Sequence, residues 1–145
     1  MKMPEKAPPL PVSAEILVPH RPPMLLISRL VEFDGRSGVA EAELKPGNPL
    51  LETDSGLDRL AAIEMIAQSY AALKGYEDLL NNRKVKEGYL VGVRKMSFFG
   101  DCQEGDVLKI NVAAVSNLGD FSSATGQVIR EGRVIAEGDI KVWTP

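Results

Sequence analysis

The sequence is poor in the residues that build disulfides and metal centres. Cys102 is the only cysteine and His20 the only histidine among 145 residues. A single cysteine excludes an intramolecular disulfide, which fits a reducing compartment. Zinc and iron–sulfur sites take several cysteine or histidine ligands, so the composition argues against both. We therefore predict no metal and no cofactor of the protein's own.

Long apolar runs and an excess of positive charge are also missing. No run reaches the roughly 20 apolar residues that cross a bilayer, and the proline-rich start "MKMPEKAPPLPV" lacks the apolar region of a signal peptide. The formal net charge of -3 gives no electrostatic basis for binding nucleic acid. The sequence therefore predicts a cytoplasmic protein with no membrane and no nucleic-acid partner.

The length and the hydrophobic pattern predict one domain rich in strands. Residues 1–12 predict a flexible proline-rich arm, and residues 13–145 predict a single domain. Apolar and polar residues alternate over 39–46, as in a strand with one buried face, and this strand is expected to pair with 24–34 across the turn "DGRSG". Four further strand-like runs are found at 89–100, 106–117, 121–132 and 133–145.

One long helix separates the two groups of strands. The segment "LAAIEMIAQSYAAL" predicts a helix from Leu57 to about Leu73, with Gly75 as its C-terminal stop. Ser55 and Asp58 have the spacing of a capping box at its start. Because nearly every residue is apolar or small, the helix is expected to be buried all round. The simplest packing is an α+β hotdog fold, a curved antiparallel sheet wrapped around one central apolar helix.

Three stretches resemble the 3-hydroxyacyl-acyl-carrier-protein dehydratases of the hotdog superfamily. "LVPHRPPMLLISRLVEFD" (17–34) resembles their Leu-Pro-His-Arg opening, and "IEMIAQ" (63–68) resembles their Glu-x-x-Ala-Gln helix signature. "YLVGVRKMSFFGDCQEGDVLKI" (89–110) resembles a strand, turn and strand of the same family. The resemblance covers roughly residues 15–145 and implies dehydration of a 3-hydroxyacyl thioester to a trans-2-enoyl thioester. It implies a substrate on the phosphopantetheine of acyl carrier protein or coenzyme A, and a homodimer, a higher homo-oligomer or a heterodimer with a related hotdog protein.

The sequence departs from that family at two points. Ser28 stands where the family has an aspartate, and the loop "NPLLETDSGLDRLAAIE" has no histidine where the family carries its catalytic one. In this respect the chain resembles the dehydratase-like branch found with aryl-polyene and other specialised fatty-acid synthesis systems. The identity of the general base is left open by this difference.

Glu64 is the first candidate catalytic residue, because it is the one charged side chain in the apolar helix. Burial would raise the pKa of Glu64, so that it could hold a proton and give it to a leaving hydroxyl. Gln68 lies at i+4 on the same helix face and is predicted to orient Glu64 or to bind substrate. His20 and Asp54 are the candidate bases, although a structural role is the simpler interpretation of each.

Backbone groups and basic side chains complete the predicted site. The resemblance implies that the N–H of Gly56 or Leu57, at the helix start, stabilises negative charge on the thioester oxygen. Scattered basic side chains could attract an acidic carrier protein. These are Arg21, Arg29, Arg94 and Lys95.

Three other functions fit the same residues. A thioester hydrolase would use Glu64 to activate water for attack on the thioester carbonyl. A non-catalytic subunit would bind acyl carrier protein or pair with an active dehydratase, which the absent loop histidine favours. A structural dimer without a ligand is the third alternative.

Overall fold

A single antiparallel sheet contains every strand in the part of the chain that the computed structural model describes, residues 8–48, 51 and 58–145. Those strands are β1 (Val12–Ser13), β2 (Arg29–Phe33), β3 (Ser37–Glu43), β4 (Tyr89–Phe98), β5 (Val107–Leu118), β6 (Phe121–Arg130) and β7 (Arg133–Trp143). The helices of the described residues are α1 (Ala14–Leu17) and α2 (Arg59–Leu80).

The strands follow the order β1-β2-β3-β5-β6-β7-β4 across the sheet. β2 and β3 form the predicted hairpin, and its turn is held by Asp34, whose Oδ1 accepts the backbone N–H of Ser37 at 2.8 Å. The four predicted C-terminal strands are present, and three of them form the consecutive pairs β5–β6 and β6–β7. β4 instead lies at the outer edge beside β7, so one of its sides has no neighbouring strand among the described elements.

Helix α2 lies in the hollow of the sheet and contacts all strands from β2 to β7. Ile66 and Leu73 are buried on its sheet-facing side. A Cβ atom at Gly126 would collide with the Ile66 side chain, and one at Gly38 would collide with the Leu73 side chain. Glycines at these two strand positions therefore let the helix approach the sheet, and the predicted hotdog fold is confirmed.

The predicted end of the helix near Leu73 is wrong, since α2 continues to Leu80. Gly75 lies inside the helix, where a Cβ would collide with the backbone carbonyl of Leu17 at the end of α1. This glycine therefore serves a close helix–helix approach, and it does not act as a C-cap. The stop comes instead at Asn82, which has a left-handed φ of 55°.

The first long strand also begins later than predicted, at Arg29 and not at residue 24. The preceding residues form a turn, in which the N–H groups of Met24 and Leu25 donate to the carbonyl of Arg21 at 2.9 and 3.1 Å. The backbone N–H of Leu26 donates to a side chain of α2 and not to a neighbouring strand. The prediction of a strand from residue 24 is therefore wrong at Met24, Leu25 and Leu26, because their backbone N–H groups bond to Arg21 and Gln68.

The structure also shows part of the predicted arm packed against the domain. Val12 pairs with Leu30 in the sheet and is buried. The Tyr76 hydroxyl donates to the carbonyl of Pro8 at 3.0 Å. The last residues of the arm, 8–12, therefore lie on the domain that was predicted to begin at residue 13, because Val12 completes its sheet edge.

Candidate active site

A cleft of about 590 Å³ runs along the exposed side of α2. On the helix it is lined at successive turns by Glu64, Ala67, Ala71 and Lys74. The opposite wall comes from the β5–β6 turn and the adjoining ends of β4, β6 and β7; it includes Leu90, Asn117, Phe121, Ser122 and Val142. Small alanines on the helix side leave room between these walls, so the cleft is open enough for a chain-like ligand.

Glu64 lies at one end of this cleft, and its side chain is 35% exposed. The prediction of a helix buried on all sides is therefore wrong at this residue. The sheet wraps only part of α2, and the face that carries Glu64 borders the cleft. The carboxylate is open to a ligand, and the argument from complete burial no longer applies.

Gln68 connects Glu64 to the segment that precedes β2. Its Nε2 donates to Glu64 Oε1 at 3.2 Å and to the carbonyl of Met24 at 2.8 Å, and its Oε1 accepts the N–H of Leu26 at 2.8 Å. The side chain is 1% exposed, so these bonds are made in a buried setting. Gln68 thereby fixes both the carboxylate and the loop that carries His20.

The structure brings His20 to Glu64, although the two residues are far apart in the sequence. His20 Nε2 lies 3.5 Å from Glu64 Oε1, and the imidazole is 28% exposed at the cleft. Arg21 holds the loop, since its guanidinium donates to the carbonyls of Val18 at 3.0 Å and His20 at 2.7 Å. His20 Nδ1 is buried and has no hydrogen-bond partner among the residues that the structure describes.

The other end of the cleft is lined by cations that are partly neutralised. Arg83 Nε lies 3.1 Å from Asp78 Oδ1, and Lys74 Nζ lies 3.5 Å from Glu77 Oε1. Lys86 lines the same end. The cleft is therefore lined by the His20–Glu64 pair at one end, by both apolar and polar side chains between, and by paired charges at the other end.

Tyr70 is a cleft residue that the sequence analysis missed. It lines the cleft, is 1% exposed, and its hydroxyl has no hydrogen-bond partner within the described ranges. A tyrosine in an apolar helix is typical of core packing, so the sequence carries no signal that its hydroxyl lacks a partner.

The remaining predicted site residues lie outside the described ranges. Asp54, Gly56 and Leu57 belong to residues 52–57, of which nothing can be compared with the prediction. Just after them, Asp58 caps α2, and its Oδ1 accepts the N–H of Ala61 at 3.0 Å. Asp58 is thus the N-cap itself, three residues after the predicted cap at Ser55.

Two other features carry no comparable chemistry. Cys102 is buried, and desolvation, with the nearby charge of Asp106, raises the pKa of its thiol to about 11, so it is a poor nucleophile near neutral pH.

A larger, open depression of about 1190 Å³ lies on the sheet and includes Lys95, Glu137 and Asp139. It holds no imidazole–carboxylate pair, and the smaller cleft is therefore the better candidate site.

Helix α2 also bears on the question of membranes. No helix in the described part of the chain is long and apolar enough to span a membrane.

The sequence and the fold both match known proteins. The sequence model of the ApeP-like family, described as ApeP dehydratase, matches residues 12–145. The 3-hydroxyacyl-[acyl-carrier-protein] dehydratase FabZ of Anaeromyxobacter dehalogenans is 29% identical over 133 residues, 88% of this chain and 85% of that protein. The protein of the same name from Ruminiclostridium cellulolyticum is 30% identical over 128 residues, 86% of this chain and 89% of that protein.

A solved structure agrees with the fold. The dehydratase heterocomplex ApeI:P from Xenorhabdus doucetiae contains a chain that superposes with a TM-score of 0.84 at 22% identity, over 92% of this chain and 91% of that chain. Since the family model spans nearly the whole of the domain, this chain belongs to the ApeP-like dehydratase family.

Proposed function

We propose that this chain dehydrates a 3-hydroxyacyl thioester, carried on acyl carrier protein, to the trans-2-enoyl thioester. The observation that carries the proposal is the pairing of His20 Nε2 with Glu64 Oε1 at 3.5 Å, at the end of a cleft suited to a chain-like ligand. Membership of a dehydratase family and the activity for which the FabZ relatives are named support the same reaction. The phosphopantetheine arm of the carrier supplies the thioester, and no further cofactor is required.

In this proposal the two side chains divide the acid and base roles. His20 takes the proton from C2 of the substrate, and the carboxyl group of Glu64 delivers a proton to the hydroxyl on C3. The C2–H and C3–O bonds break, a double bond forms between C2 and C3, and water leaves. The proton on His20 then returns to the Glu64 carboxyl group through a bridging water or after the two groups approach each other, which restores the starting state.

Gln68 supports these acid and base roles by donating a hydrogen bond to one of the two carboxylate oxygens of Glu64. Because Oε1 of Glu64 accepts from Gln68 and faces His20, Oε2 is the oxygen available to the substrate hydroxyl. The start of α2 lies a turn and a half before Glu64. The prediction that Gly56 or Leu57 donates a backbone N–H to the thioester oxygen belongs to this proposal, because a helix N-terminus favours negative charge there.

A second candidate is that the chain works as one of two different hotdog subunits. The open edge strand β4 exposes Tyr89, Val91 and Val93, at 47%, 51% and 41%, and an exposed apolar edge favours pairing with another strand. The similar solved chain comes from a heterocomplex. The absence of a histidine from residues 49–57 favours a partner that supplies part of the catalytic set.

Two of the four basic side chains predicted to attract a carrier protein have partners within this chain. Arg29 is paired with Glu41 and Glu43 at 2.9 and 2.6 Å, and Arg21 donates to backbone carbonyls. Their positive charge is therefore partly satisfied within the chain. We therefore propose that Arg94 and Lys95 are the residues that contact an acidic carrier protein.

The test is turnover of 3-hydroxyacyl and saturated acyl substrates on acyl carrier protein, followed by mass spectrometry. We expect loss of water from the 3-hydroxyacyl substrate and no change in the saturated one. Release of free acid from both would support the hydrolase instead. Activity that appears only after a related hotdog subunit is added would support the second candidate.

A further inference from the structure

The Tyr70 hydroxyl is a buried polar group without a hydrogen-bond partner among the described residues, and Tyr70 is one of the residues that line the cleft. Tyr70 lines the cleft that also contains Glu64 and is 1% exposed. It is six residues beyond Glu64 on the same helix, a rise of about 9 Å along the axis. Such a hydroxyl normally has a hydrogen-bond partner when buried, and leaving it unpaired is unfavourable.

Tyr76, a second tyrosine on the same helix, provides a comparison because its hydroxyl has a partner within the chain. Tyr76 is also buried, and its hydroxyl donates to the Pro8 carbonyl at 3.0 Å. The two side chains belong to one helix and have similar burial. They differ in that Tyr76 completes a contact within the chain, whereas Tyr70 borders the cleft.

The walls around Tyr70 offer apolar contact without needing its hydroxyl. Ala67 and Ala71 flank it on the helix, and Leu90 and Val142 lie on the opposite wall. A phenylalanine would provide the same apolar surface for an alkyl chain. The hydroxyl is therefore unnecessary for a plain hydrocarbon and useful for a ligand with a polar atom at this depth.

We propose that Tyr70 forms a polar subsite, hydrogen-bonding an oxygen or nitrogen of the bound thioester that lies farther along the cleft than the carbons at Glu64. This inference rests on the proposed function, since it takes the cleft as the thioester site. The polar atom can belong to the pantetheine arm, as the amide farther from the sulfur, or to an oxygen on the acyl chain. Both sources share one chemistry, a hydrogen-bonding group within a chain-like ligand.

Three unreactive analogues, each with an amide in place of the thioester, separate the sources. The first joins an alkyl 3-hydroxyacyl group to full pantetheine, and the second joins the same group to N-acetylcysteamine, which lacks the distal amide. The third carries a terminal hydroxyl on the acyl chain and is also built on N-acetylcysteamine. Dissociation constants are measured by calorimetry for the wild-type chain and for Tyr70→Phe, with Tyr76→Phe as the matched control.

We expect Tyr70→Phe to weaken the first or the third analogue about fivefold and to leave the second unchanged. Loss confined to the first assigns the subsite to the pantetheine arm, and loss confined to the third assigns it to the acyl chain. The melting temperature of Tyr70→Phe should stay within about 2 °C of wild type. Tyr76→Phe should lower the melting temperature and leave every dissociation constant unchanged.

Several results would overturn the inference. Equal affinities of wild type and Tyr70→Phe for all three analogues would mean that the hydroxyl contacts no ligand. A clear fall in melting temperature in Tyr70→Phe, with all analogues weakened alike, would assign the hydroxyl to a structural bond. Because the analogues are unreactive, binding is measured separately from turnover, so failure of the proposed reaction would be recognised independently.

Discussion

Two clusters of charged side chains in this protein differ in how completely their groups are paired. On the hairpin of β2 and β3, Arg29 binds Glu41 at 2.9 Å and Glu43 at 2.6 Å, so one cation holds two carboxylates. In the cleft, His20 lies 3.5 Å from Glu64, and its other nitrogen has no partner among the described residues. The first cluster is saturated, and the second has unused hydrogen-bonding capacity.

The ionisation of the hairpin cluster follows from its pairing. Hydrogen bonds to Glu43 and Glu41 raise the pKa of Arg29, and the hydrogen bond and charge of Arg29 lower the pKa of Glu43. Arg29 and Glu43 are thereby held in their charged forms, which suits a structural contact. The cleft pair differs in its geometry, because neither Glu64 Oε2 nor His20 Nδ1 has a partner of this kind among the described residues, and both residues line a cleft.

The largest expected effect comes from removing the proton of the cleft carboxylate. Glu64→Gln should lower kcat by roughly 10²–10⁴-fold, because the amide keeps the shape of the side chain and cannot act as an acid. Glu41→Gln, in the saturated cluster, is the matched control and should leave kcat within about twofold. Steady-state kinetics on a 3-hydroxyacyl substrate measures both. Equal losses in the two variants would remove the distinction between the clusters.

Replacing the imidazole should have the next largest effect. His20→Asn should lower kcat by roughly 10²-fold, because the amide cannot take the C2 proton, and should shift the melting temperature by less than about 3 °C. Both quantities are measured on the same preparation. Wild-type kcat together with a strongly lowered melting temperature would assign His20 to the structural role of tying its loop to α2.

Gln68→Met tests the residue that connects the cleft pair to the fold. The substitution leaves the Leu26 N–H and the Met24 carbonyl without their partner, and should reduce the free energy of unfolding by about 2–4 kcal/mol. Chemical denaturation provides the measurement. A change below about 0.5 kcal/mol would mean that water or other groups replace the amide without loss.

The smallest effect should come from breaking the saturated cluster. Arg29→Met should lower the melting temperature by less than about 4 °C near neutral pH, because a partly exposed ion pair contributes little. The pKa of Glu43 is lowered in the folded state, so its contribution is present above the ordinary value of 4.5 and is lost as pH falls through the folded-state pKa. The difference between Arg29→Met and wild type should therefore shrink in thermal melts below pH 4.5. A difference that is constant or grows in acid would contradict the assigned pairing.

Local pattern identified most of the elements but not their limits. The alternation in β3 places Gly38, Ala40 and Ala42 on the buried face, as a two-residue period requires. The sequence predicts Gly75 as a stop because glycine commonly ends helices, yet in the structure its missing side chain leaves room for the backbone of Leu17. Whether a glycine ends a helix or permits a contact depends on which element packs against it, and no short stretch of sequence contains that information.

In the candidate site, too, the contact between residues close in sequence was predictable, and the contact between distant residues was not. Helical spacing alone placed Gln68 one turn from Glu64, and their hydrogen bond of 3.2 Å confirms that geometry. The approach of His20 to Glu64 was not predictable in this way, because the loop that carries it is positioned by Gln68 and Arg21 through tertiary contacts.

Periodicity in the sequence is enough to predict strands β2 to β7, the apolar helix and the pair of polar residues on one side of that helix, apart from the limits of these elements, because it depends on neighbours along the chain. Tertiary packing alone places Glu64 beside a cleft, brings His20 to it and leaves the Tyr70 hydroxyl without a hydrogen-bond partner among the described residues. These relations join distant segments, and they depend on how closely the sheet wraps the helix, which side-chain packing determines.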